Sequence, residues 1–506
     1  MPLLASLAVV LCTAMVLITW SVMGGFLARL LDSGRTLIGD VLIAWPNTGF
    51  AHYDNLIERL EKDPLVKAAS PMIESYGLVG LPDGRSENVS IKGIDGPSYG
   101  RVTDYEKAMW WKHIKEPLRK DVKKEDLRLN PLKLWDKLEQ DGLLLKEQNP
   151  ATGELGPAVV LGLEVSGFNS RSPTGAFFPM MRDKRTATGT VETLELFLPR
   201  DATVTLSVPP RDSKGLLVDM VSRRFPVANE FYSGIFDVDH KTVLVELGAL
   251  QKMLRMDAAE RVEAGTEPFE IVVDPQSGEE KIVKSAGKRV EDPARVTTVL
   301  VRGKSDGRVR ADTEALARRC REIYAEFASA HEGKVPAAFD IRILTWEDQN
   351  RTLISAVEKE TALVLFVFCF VSMTAVFLVL AIFWSMISEK TKDIGTLRAI
   401  GASRAGIAWL WLRYGAAIGI VGALLGGALA YVIVTNINPI HEWMGETLHL
   451  YIWDPRVYYF TEIPSKVEPM KALYVLGAGV VSSIVGALIP ALRAASMDPV
   501  KALRFE

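Results

Sequence analysis

The side chains that could do chemistry are scattered along the 506 residues, and their spacing matches no reactive motif. The closest approach to a phosphate-binding loop is SAGKR at residues 285–289, which lacks the first glycine and the hydroxyl residue of that motif. His441 precedes Glu442, but no H-E-x-x-H occurs, and such a pair on a short loop is usually solvated. We therefore predict no catalytic residue, no metal site and no cofactor in this chain.

Composition indicates a chain that joins apolar spans to a soluble part. A mean hydropathy of +0.13 with 24% charged residues is too polar for a protein wholly buried in lipid and too apolar for a typical soluble enzyme. The net charge of -3 predicts no attraction to nucleic acid. Only three cysteines occur, and two of them lie in apolar runs, which excludes a disulfide framework.

Four long apolar runs predict membrane-spanning helices, because about 20 apolar residues cross the core of a bilayer. The first run could instead be a cleaved signal peptide, but it lacks a basic start, and Gly24-Gly25-Phe26 is a poor cleavage site. We place the four spans at residues 1–26, 356–388, 405–435 and 471–492.

The charges of the short connecting loops predict which loops face the cytoplasm, because Lys and Arg are enriched on that side. The 389–404 loop carries Lys390, Lys392, Arg398 and Arg404, and the 493–506 tail is also basic. The 436–470 loop has more acidic than basic residues. We therefore expect both termini and the 389–404 loop inside, and the 27–355 and 436–470 segments outside.

Helical and strand patterns are mixed within 27–355, which predicts a large α+β domain outside the cytoplasm between the first and second spans. We expect strands at 67–80 and 86–93 around the Asp83-Gly84 turn, and further strands at 159–162 and 202–208. The segments 225–236 and 240–247 suggest a strand pair that meets near Asp237. The predicted helices lie at 53–60 and 311–330.

Two charged insertions, near 105–148 and 255–295, interrupt this domain. The first contains three tryptophans among many Lys, Glu and Asp residues. It is either a docking insertion or a solvated helical excursion.

The loop EKTKDIGTLRAIGASR, at 389–404, has the pattern of a short helix between two spans. Helical spacing places Ile387, Ile394 and Leu397 near one face, with Ile400 close by. Gly401 is a natural stop after the helix, and Ser403 can cap the next span. Such a helix could couple the spans to a partner protein, or it could contact only lipid headgroups, and the pattern leaves both open.

The loop sequence EKTKDIGTLRAIGAS resembles the signature loop of the FtsX/MacB-like permease superfamily, in which it docks onto an ATPase. The C-terminal sequence PALRAASMDPVKALRFE is also similar to the end of those permeases. The resemblance implies an ABC ATPase partner that holds ATP and Mg. The residues that it assigns to this ATPase coupling are Glu389, Lys390, Asp393, Ile394, Leu397, Arg398, Gly401 and Ala402.

Within this superfamily the chain most resembles the lipoprotein-releasing permeases of LolC/LolE type. The similar segments are SVMGGF from residue 21, VKAASPMI from 66, VSIKGID from 89, VVLGLE from 159 and FYSGIFDVDHKTVLVELGALQKML from 231. The resemblance implies a multi-pass protein of the bacterial inner membrane with a periplasmic domain. It also implies a second permease, identical or paralogous, a lipoprotein substrate and a periplasmic lipoprotein chaperone as partners.

The third predicted span contains two G-x-x-x-G pairs, Gly415 with Gly419 and Gly422 with Gly426, which predict close packing on a neighbouring span. We further expect the first two spans to border a lipid-facing substrate cavity. The candidates for its lining are Met23, Phe366, Phe370 and Phe377.

The function that these features favour is ATP-driven extraction of lipoproteins from the inner membrane toward the outer membrane. The alternatives are a MacB-like efflux permease for periplasmic cargo and an FtsX-like transmitter that regulates a cell-wall hydrolase.

Overall fold

The computed structural model describes residues 2–35, 37–112, 132–148, 153–171, 177–185, 190–194, 196–210, 217–262, 269–273, 280–284, 289–304, 309–450, 452–454, 459–460 and 462–503. The chain forms two compact units. We call Met1–Leu31 together with Arg351–Glu506 the helical unit, and Asp32–Ser172 together with Ala176–Asn350 the α+β unit.

The helices, numbered along the described chain, are α1 Pro2–Arg35, α2 Tyr53–Glu61, α3 Gly96–Val102, α4 Tyr105–Ala108, α5 Leu132–Leu144, α6 Leu198–Asp201, α7 Phe236–Lys241, α8 Leu247–Leu254, α9 Val309–Ala330, α10 Trp346–Gln349, α11 Arg351–Glu389, α12 Thr391–Ala399, α13 Arg404–Thr435, α14 Ile437–Leu448, α15 Pro469–Ser496 and α16 Pro499–Leu503.

The strands are β1 Val41–Ala44, β2 Phe50–Ala51, β3 Val66–Gly80, β4 Ser86–Ile94, β5 Lys146–Gln148, β6 Leu155–Pro157, β7 Val159–Gly162, β8 Asn169–Arg171, β9 Phe177–Pro179, β10 Arg182–Arg185, β11 Val191–Leu194, β12 Thr203–Val208, β13 Val221–Phe231, β14 Thr242–Glu246, β15 Ala259–Val262, β16 Phe269–Val273, β17 Glu280–Lys284, β18 Arg289–Asp292, β19 Arg295–Val296, β20 Thr298–Gly303 and β21 Arg342–Thr345.

Four helices of the helical unit, α1, α11, α13 and α15, are long and apolar enough to cross a membrane. Two aromatic–cation pairs lie at opposite ends of α15. Lys471 Nζ is 5.9 Å from the ring centre of Trp20, and Arg493 Cζ is 3.9 Å from that of Trp384. At a helical rise of about 1.5 Å per residue, the backbone positions of the two residues are about 33 Å apart along α15, close to the ~30 Å hydrocarbon core of a bilayer. The four helices and the α+β unit between the first two confirm the predicted fold class.

Six strands of the α+β unit close into a barrel. The main sheet has the order β12-β13-β7-β14-β4-β3-β20-β1-β21, and β12 also pairs with the far end of β3. Because β3 is 15 residues long, its first half pairs with β20 while Leu78–Gly80 pair with β12. Gly77 lies at this closure, where a Cβ would meet the carbonyl oxygen of Ser207.

The neighbouring barrel strands β7 and β14 bury both of their faces, and the two faces enter different cores because successive side chains of a strand point to opposite sides. In β7, Val159 and Leu161 enter one hydrophobic core together with residues of α2, α8 and α9. Val160 enters a second core that includes residues of α3 and α4.

The strands β20, β1 and β21 extend the sheet beyond the barrel. The chain enters this extension after α1 and leaves it through α10 and α11. The strands β1 and β21 are antiparallel, so Val41, at the start of one, lies opposite Thr345, at the end of the other. The Trp346 N–H donates to the Asp40 carbonyl oxygen at 3.1 Å and continues this ladder.

The structure corrects one predicted strand pair. The segments 225–236 and 240–247 contain β13 and β14, which are joined by α7 rather than by a turn near Asp237. The two strands do not pair with each other, because β7 lies between them, parallel to β13 and antiparallel to β14. Hydrophobic pattern identified the strands, but it could not show that an earlier strand enters between them.

The first charged insertion is not a solvated excursion over its described length. Tyr105, Met109 and Leu145 are almost fully buried, and the Tyr105 hydroxyl donates to the Gly142 carbonyl oxygen at 2.7 Å. Residues 113–131, which carry much of its charge, lie outside the described residues. The second insertion contains two antiparallel strand pairs, β15 with β18 and β16 with β17. The near-match to a phosphate loop at 285–289 lies almost wholly outside the described residues.

Candidate functional site

The short helix α12 is fixed to the helical unit by one apolar side. Ile394 is 3% exposed, and it belongs to a cluster with Ile387 at the end of α11, Ile407 near the start of α13, and Ala494 and Ala495 near the end of α15. The helix therefore contacts the ends of three long helices, and its position depends on all of them.

The end of α12 is set by Gly401, as its sequence position predicts. The φ of Gly401 is +108°, a backbone conformation that L side chains rarely adopt. The Ala402 N–H donates to the Leu397 carbonyl oxygen at 3.0 Å, and the Gly401 N–H donates to that of Arg398 at 3.2 Å. These two bonds form a Schellman motif. Two residues later, the Ser403 hydroxyl accepts from the Gly406 N–H and caps α13, so the turn between the helices is short and fully bonded.

Another part of the α12 surface is exposed and carries both apolar and charged side chains. Leu397 is 45% exposed and Ile400 is 81% exposed, beside an exposed ion pair between Lys390 and Asp393. The prediction that Ile387, Ile394 and Leu397 lie near one face, with Ile400 close by, holds only in part. Ile387 and Ile394 share the buried cluster, whereas Leu397 and Ile400 are exposed. A break at Lys390 puts Ile387 in the preceding helix, and only Ile394 of the other three turns inward.

The eight residues assigned to ATPase coupling differ in exposure. Five of them are exposed, namely Glu389, Lys390, Asp393, Leu397 and Gly401, whereas Arg398 and Ala402 are half-buried and Ile394 is buried. The guanidinium Nη1 of Arg398 donates to the Ala402 carbonyl oxygen at 3.2 Å and braces the turn. The C-terminal helix α16, which Asp498 caps through the Val500 N–H, also packs against α12.

The four glycines of α13 contact two different helices. A Cβ on Gly415 would lie 2.7 Å from Ala487 Cβ, and one on Gly419 would lie 2.9 Å from Ser483 Cβ, both on α15. On the other pair the neighbour is α1, because a Cβ on Gly422 would lie 2.8 Å from Val9 Cβ, and one on Gly426 would lie 2.7 Å from the Val10 carbonyl oxygen. The Ser483 hydroxyl also donates to the Gly415 carbonyl oxygen at 2.9 Å.

A cavity of about 330 Å³ lies among α1, α11 and α15 within the helical unit. Its lining is mainly apolar, and a few hydroxyl and thiol groups are set among the apolar side chains. Cys12 Sγ lies 3.8 Å from Ser372 Oγ across the gap between α1 and α11. The polar or thiol side chains that line the cavity include Cys12, Thr13, Cys369, Ser372, Ser482 and Ser483.

The sequence-based cavity candidates are not among the residues that line this cavity. Phe366, Phe370 and Phe377 are 65%, 52% and 61% exposed on α11, and Met23 is half-buried on α1. Their assignment to a substrate cavity stays a prediction. The polar residues that do line the observed cavity could have been noticed as uncommon side chains within apolar spans.

In the α+β unit, the carboxyl group of Glu230 near the end of β13 is almost fully buried, and the sequence did not single it out. Its oxygens accept from Trp111 Nε1 at 2.7 Å and from Asn169 Nδ2 at 2.8 Å. Burial raises the pKa of Glu230 to about 7, although the two donors oppose the shift. The carboxyl joins the first charged insertion to the barrel.

Among the described residues, no group of three or more His, Cys, Asp or Glu side chains could hold a metal ion. The Nε2 of His441 accepts from the Trp453 N–H at 3.0 Å. This histidine therefore has a structural role, because it joins α14 to the loop that follows.

The helical part of the chain matches a known family. Residues 365–499, which include most of α11 and the whole of α12, α13, α14 and α15, match the family model of the FtsX-like permease C-terminal domain. The chain thus carries an FtsX-like permease domain.

Among the proteins to which this chain is similar in sequence are lipoprotein-releasing system transmembrane proteins. The chain is 27% identical over 161 residues to LolC of Xylella fastidiosa and to LolC of Neisseria meningitidis, a match that covers 32% of this chain and 39% of each relative. It is 28% identical over 117 residues to LolE of Haemophilus influenzae, covering 23% of this chain and 28% of that protein. The chain therefore spans about two fifths of the length of the first of these relatives.

A solved structure, the periplasmic region of MacB from Actinobacillus actinomycetemcomitans, is 12% identical with a TM-score of 0.24. That match covers 63% of this chain and 94% of the MacB chain.

Proposed function

We propose that this chain is the permease subunit of an ABC-type complex that extracts lipoproteins from the inner membrane for delivery toward the outer membrane. The FtsX-like domain and the similarity to LolC and LolE support the proposal. Two permeases, identical or paralogous, would assemble with two ATPase subunits that hold ATP and Mg.

The proposed orientation places α12 in the cytoplasm and the α+β unit in the periplasm. It is supported by the positive charges of the 389–404 loop and by the acidic residues between α13 and α15. The number of long helices is consistent with it, because a chain that crosses four times has both ends on one side.

The exposed side of α12 is the observation that carries the proposal. Leu397 and Ile400 are large apolar side chains that would be exposed to water if no partner covered them, and the Lys390–Asp393 ion pair is close to them in sequence. Such a patch is typical of a docking surface, because it offers apolar area together with charges that fix orientation. The buried side of α12 would pass a movement of the ATPase to α11, α13 and α15.

Lipoprotein acyl chains would enter from the lipid beside α11. The exposed Phe366, Phe370 and Phe377 are on the surface that a substrate chain or a second permease would contact. A periplasmic lipoprotein chaperone would then receive the extracted cargo.

Purification of the complex from membranes of its own bacterium, through a tag on this chain, tests the function. We expect an ATPase and a second permease to copurify, and we expect ATP hydrolysis to accelerate when a triacylated lipoprotein is added. An adaptor with an outer-membrane duct would indicate MacB-like efflux instead, and a cell-wall hydrolase would indicate an FtsX-like transmitter. A rate of ATP hydrolysis that does not change when lipoprotein is added contradicts the proposal.

The same purification tests the docking side. Leu397→Asp and Ile400→Asp should each reduce the copurified ATPase severalfold without loss of folded permease, because both side chains are exposed. The matched control is Phe339→Asp, which puts the same charge on an 87% exposed apolar residue of the α+β unit. Full ATPase recovery with both α12 variants would exclude this docking side.

A further inference from the structure

The connection between α13 and α15 contains an amphipathic helix whose apolar side faces outward. In α14 the apolar residues Ile440, Trp443 and Leu448 fall on one side of the helical wheel and are 38%, 58% and 55% exposed. An amphipathic helix on a water-soluble protein turns this side inward. Here the helix has the reverse orientation.

The polar side of α14 is held by the protein. Asn438 Oδ1 accepts from the Ile463 N–H at 2.8 Å, and Asn438 Nδ2 donates to the Ile463 carbonyl oxygen at 3.4 Å. His441 accepts from the Trp453 N–H, and Gly445 is buried on the same side. These bonds fix the rotation of α14 about its own axis, so the outward apolar side is a fixed feature of the fold.

The loop that holds α14 is itself packed against the end of α1. The rings of Trp453 and Phe460 lie edge-on to Phe26, at centroid distances of 6.4 and 5.6 Å. A Cβ on Gly25 would lie 2.6 Å from the backbone of Pro464. The position of α14 is therefore tied to α1 as well as to α13.

The surroundings of α14 indicate what covers its apolar side. Only Asn436 separates α14 from α13, so the helix lies at the level where α13 leaves the apolar region. Tyr431 and Val432, one turn earlier on α13, are 63% and 56% exposed and continue the outward apolar surface. Tryptophan is enriched at the boundary between headgroups and acyl chains, which suits Trp443.

We propose that α14 lies in the plane of the bilayer surface, with Ile440, Trp443 and Leu448 inserted at the acyl-chain boundary. The partner of this surface is lipid. The exposed carboxylates of Glu442 and Glu446 are on another side of the helix and remain in water. Because both are acidic, the surface suits zwitterionic lipid better than anionic lipid. The inference rests on α13 and α15 spanning a bilayer, as the proposed function requires.

Spin-label accessibility in nanodiscs tests this placement. The full chain, with Cys12→Ser, Cys320→Ala and Cys369→Ser, is reconstituted in phosphatidylcholine and labelled at Trp443→Cys or at Glu446→Cys. We expect collisions with apolar oxygen to exceed those with a water-soluble nickel chelate at position 443, and the ratio to reverse at position 446. A label at Leu448→Cys repeats the measurement on the apolar side if the first variant folds poorly.

Two outcomes overturn the inference. A label at position 443 that meets mainly the nickel chelate would place the apolar side in water. A label that meets neither reagent would show that protein, such as a second copy, covers it. A label at Phe366→Cys is the control for the premise, because failure of oxygen to reach that exposed position on α11 would instead count against the membrane-spanning arrangement.

Discussion

Gly401 shows how one residue type can define the end of a functional helix. No atom lies within 4 Å of the position that a Cβ would occupy, so the only obstacle to a side chain there is the backbone conformation. The sequence predicted this stop correctly because a glycine directly after an amphipathic segment is typical of a helix C-terminus.

Replacement of Gly401 with alanine should destabilise the turn between α12 and α13. A positive φ costs an L residue about 1–2 kcal/mol. We therefore expect Gly401→Ala to lower the midpoint of thermal unfolding in detergent and to weaken lipoprotein-stimulated ATP hydrolysis. Gly477→Ala is the matched control, because that glycine lies within α15 with equal open space and no positive φ. Equal behaviour of the two variants would contradict the role of the turn.

The carboxyl group of Glu230 should make the stability of the α+β unit depend on pH. In the folded state its pKa is raised to about 7, against an ordinary value of 4.5. Between these values the unfolded chain has lost the proton that the folded protein retains, so the free energy of unfolding falls as pH rises from about 4.5 through 7. The whole change is of the order of 3 kcal/mol.

Unfolding of the full chain at pH 5 and at pH 7.5, followed by tryptophan fluorescence, measures this dependence. Glu230→Gln should reduce the difference between the two pH values, because an amide does not titrate. The exposed Glu326→Gln should leave the difference as it is in the unmodified protein. A difference that survives in Glu230→Gln would assign the effect to another group. Nothing in the local sequence marked Glu230, since its burial depends on Trp111 and Asn169, which are far away along the chain.

At the scale of elements, the glycines of α13 determine how closely α1 and α15 each approach α13. The motif predicted close packing on one neighbouring span, and the structure has two neighbours, one for each pair of glycines. The spacing of glycines along one helix indicates a face without side chains, but it does not show which helix packs against that face.

Two adjacent glycines on α13, Gly426 and Gly427, allow the effect of helix packing to be tested with the same substitution at each position. A Cβ on Gly426 would meet the backbone of α1, whereas one on Gly427 would meet only the end of the Leu476 side chain, at 3.0 Å. Gly426→Ala should therefore cost roughly 1–3 kcal/mol, as overpacking does, and Gly427→Ala should cost less, because a leucine tip can move. Thermal unfolding midpoints in detergent compare the two variants. If Gly427→Ala is the more harmful, the observed packing of α1 on α13 is wrong.

The pattern of the strands shows where sequence reasoning ends. The β3–β4 hairpin was predictable because its strands are adjacent and Asp83-Gly84 forms the turn between them, with Gly84 at φ +91°. The closure of the barrel was not, because it pairs β3 with β12, more than 100 residues later. The cavity likewise takes its lining from three helices that are distant in sequence.

At the scale of the whole molecule, the proposed function requires α12 and the α+β unit on opposite sides of the membrane. Lys392 on α12 and Glu332 after α9 are both exposed and suit a thiol label in a cysteine-free chain. In spheroplasts an impermeant maleimide should react with Glu332→Cys at once and with Lys392→Cys only after detergent is added. Reaction of both without detergent would place them on one side and exclude the coupling arrangement.

The β1–β21 ladder has a mechanical consequence for how the α+β unit responds to load. Because Val41 lies opposite Thr345, the two chain segments that connect this unit to α1 and to α11 leave from the same end of an antiparallel pair. Tension that separated those two segments would unzip the pair one rung at a time, beginning at the Trp346–Asp40 bond, and a zipper opened in this way resists little. A push or pull shared equally by both segments would not separate the two strands, and it would carry the whole unit along as one piece.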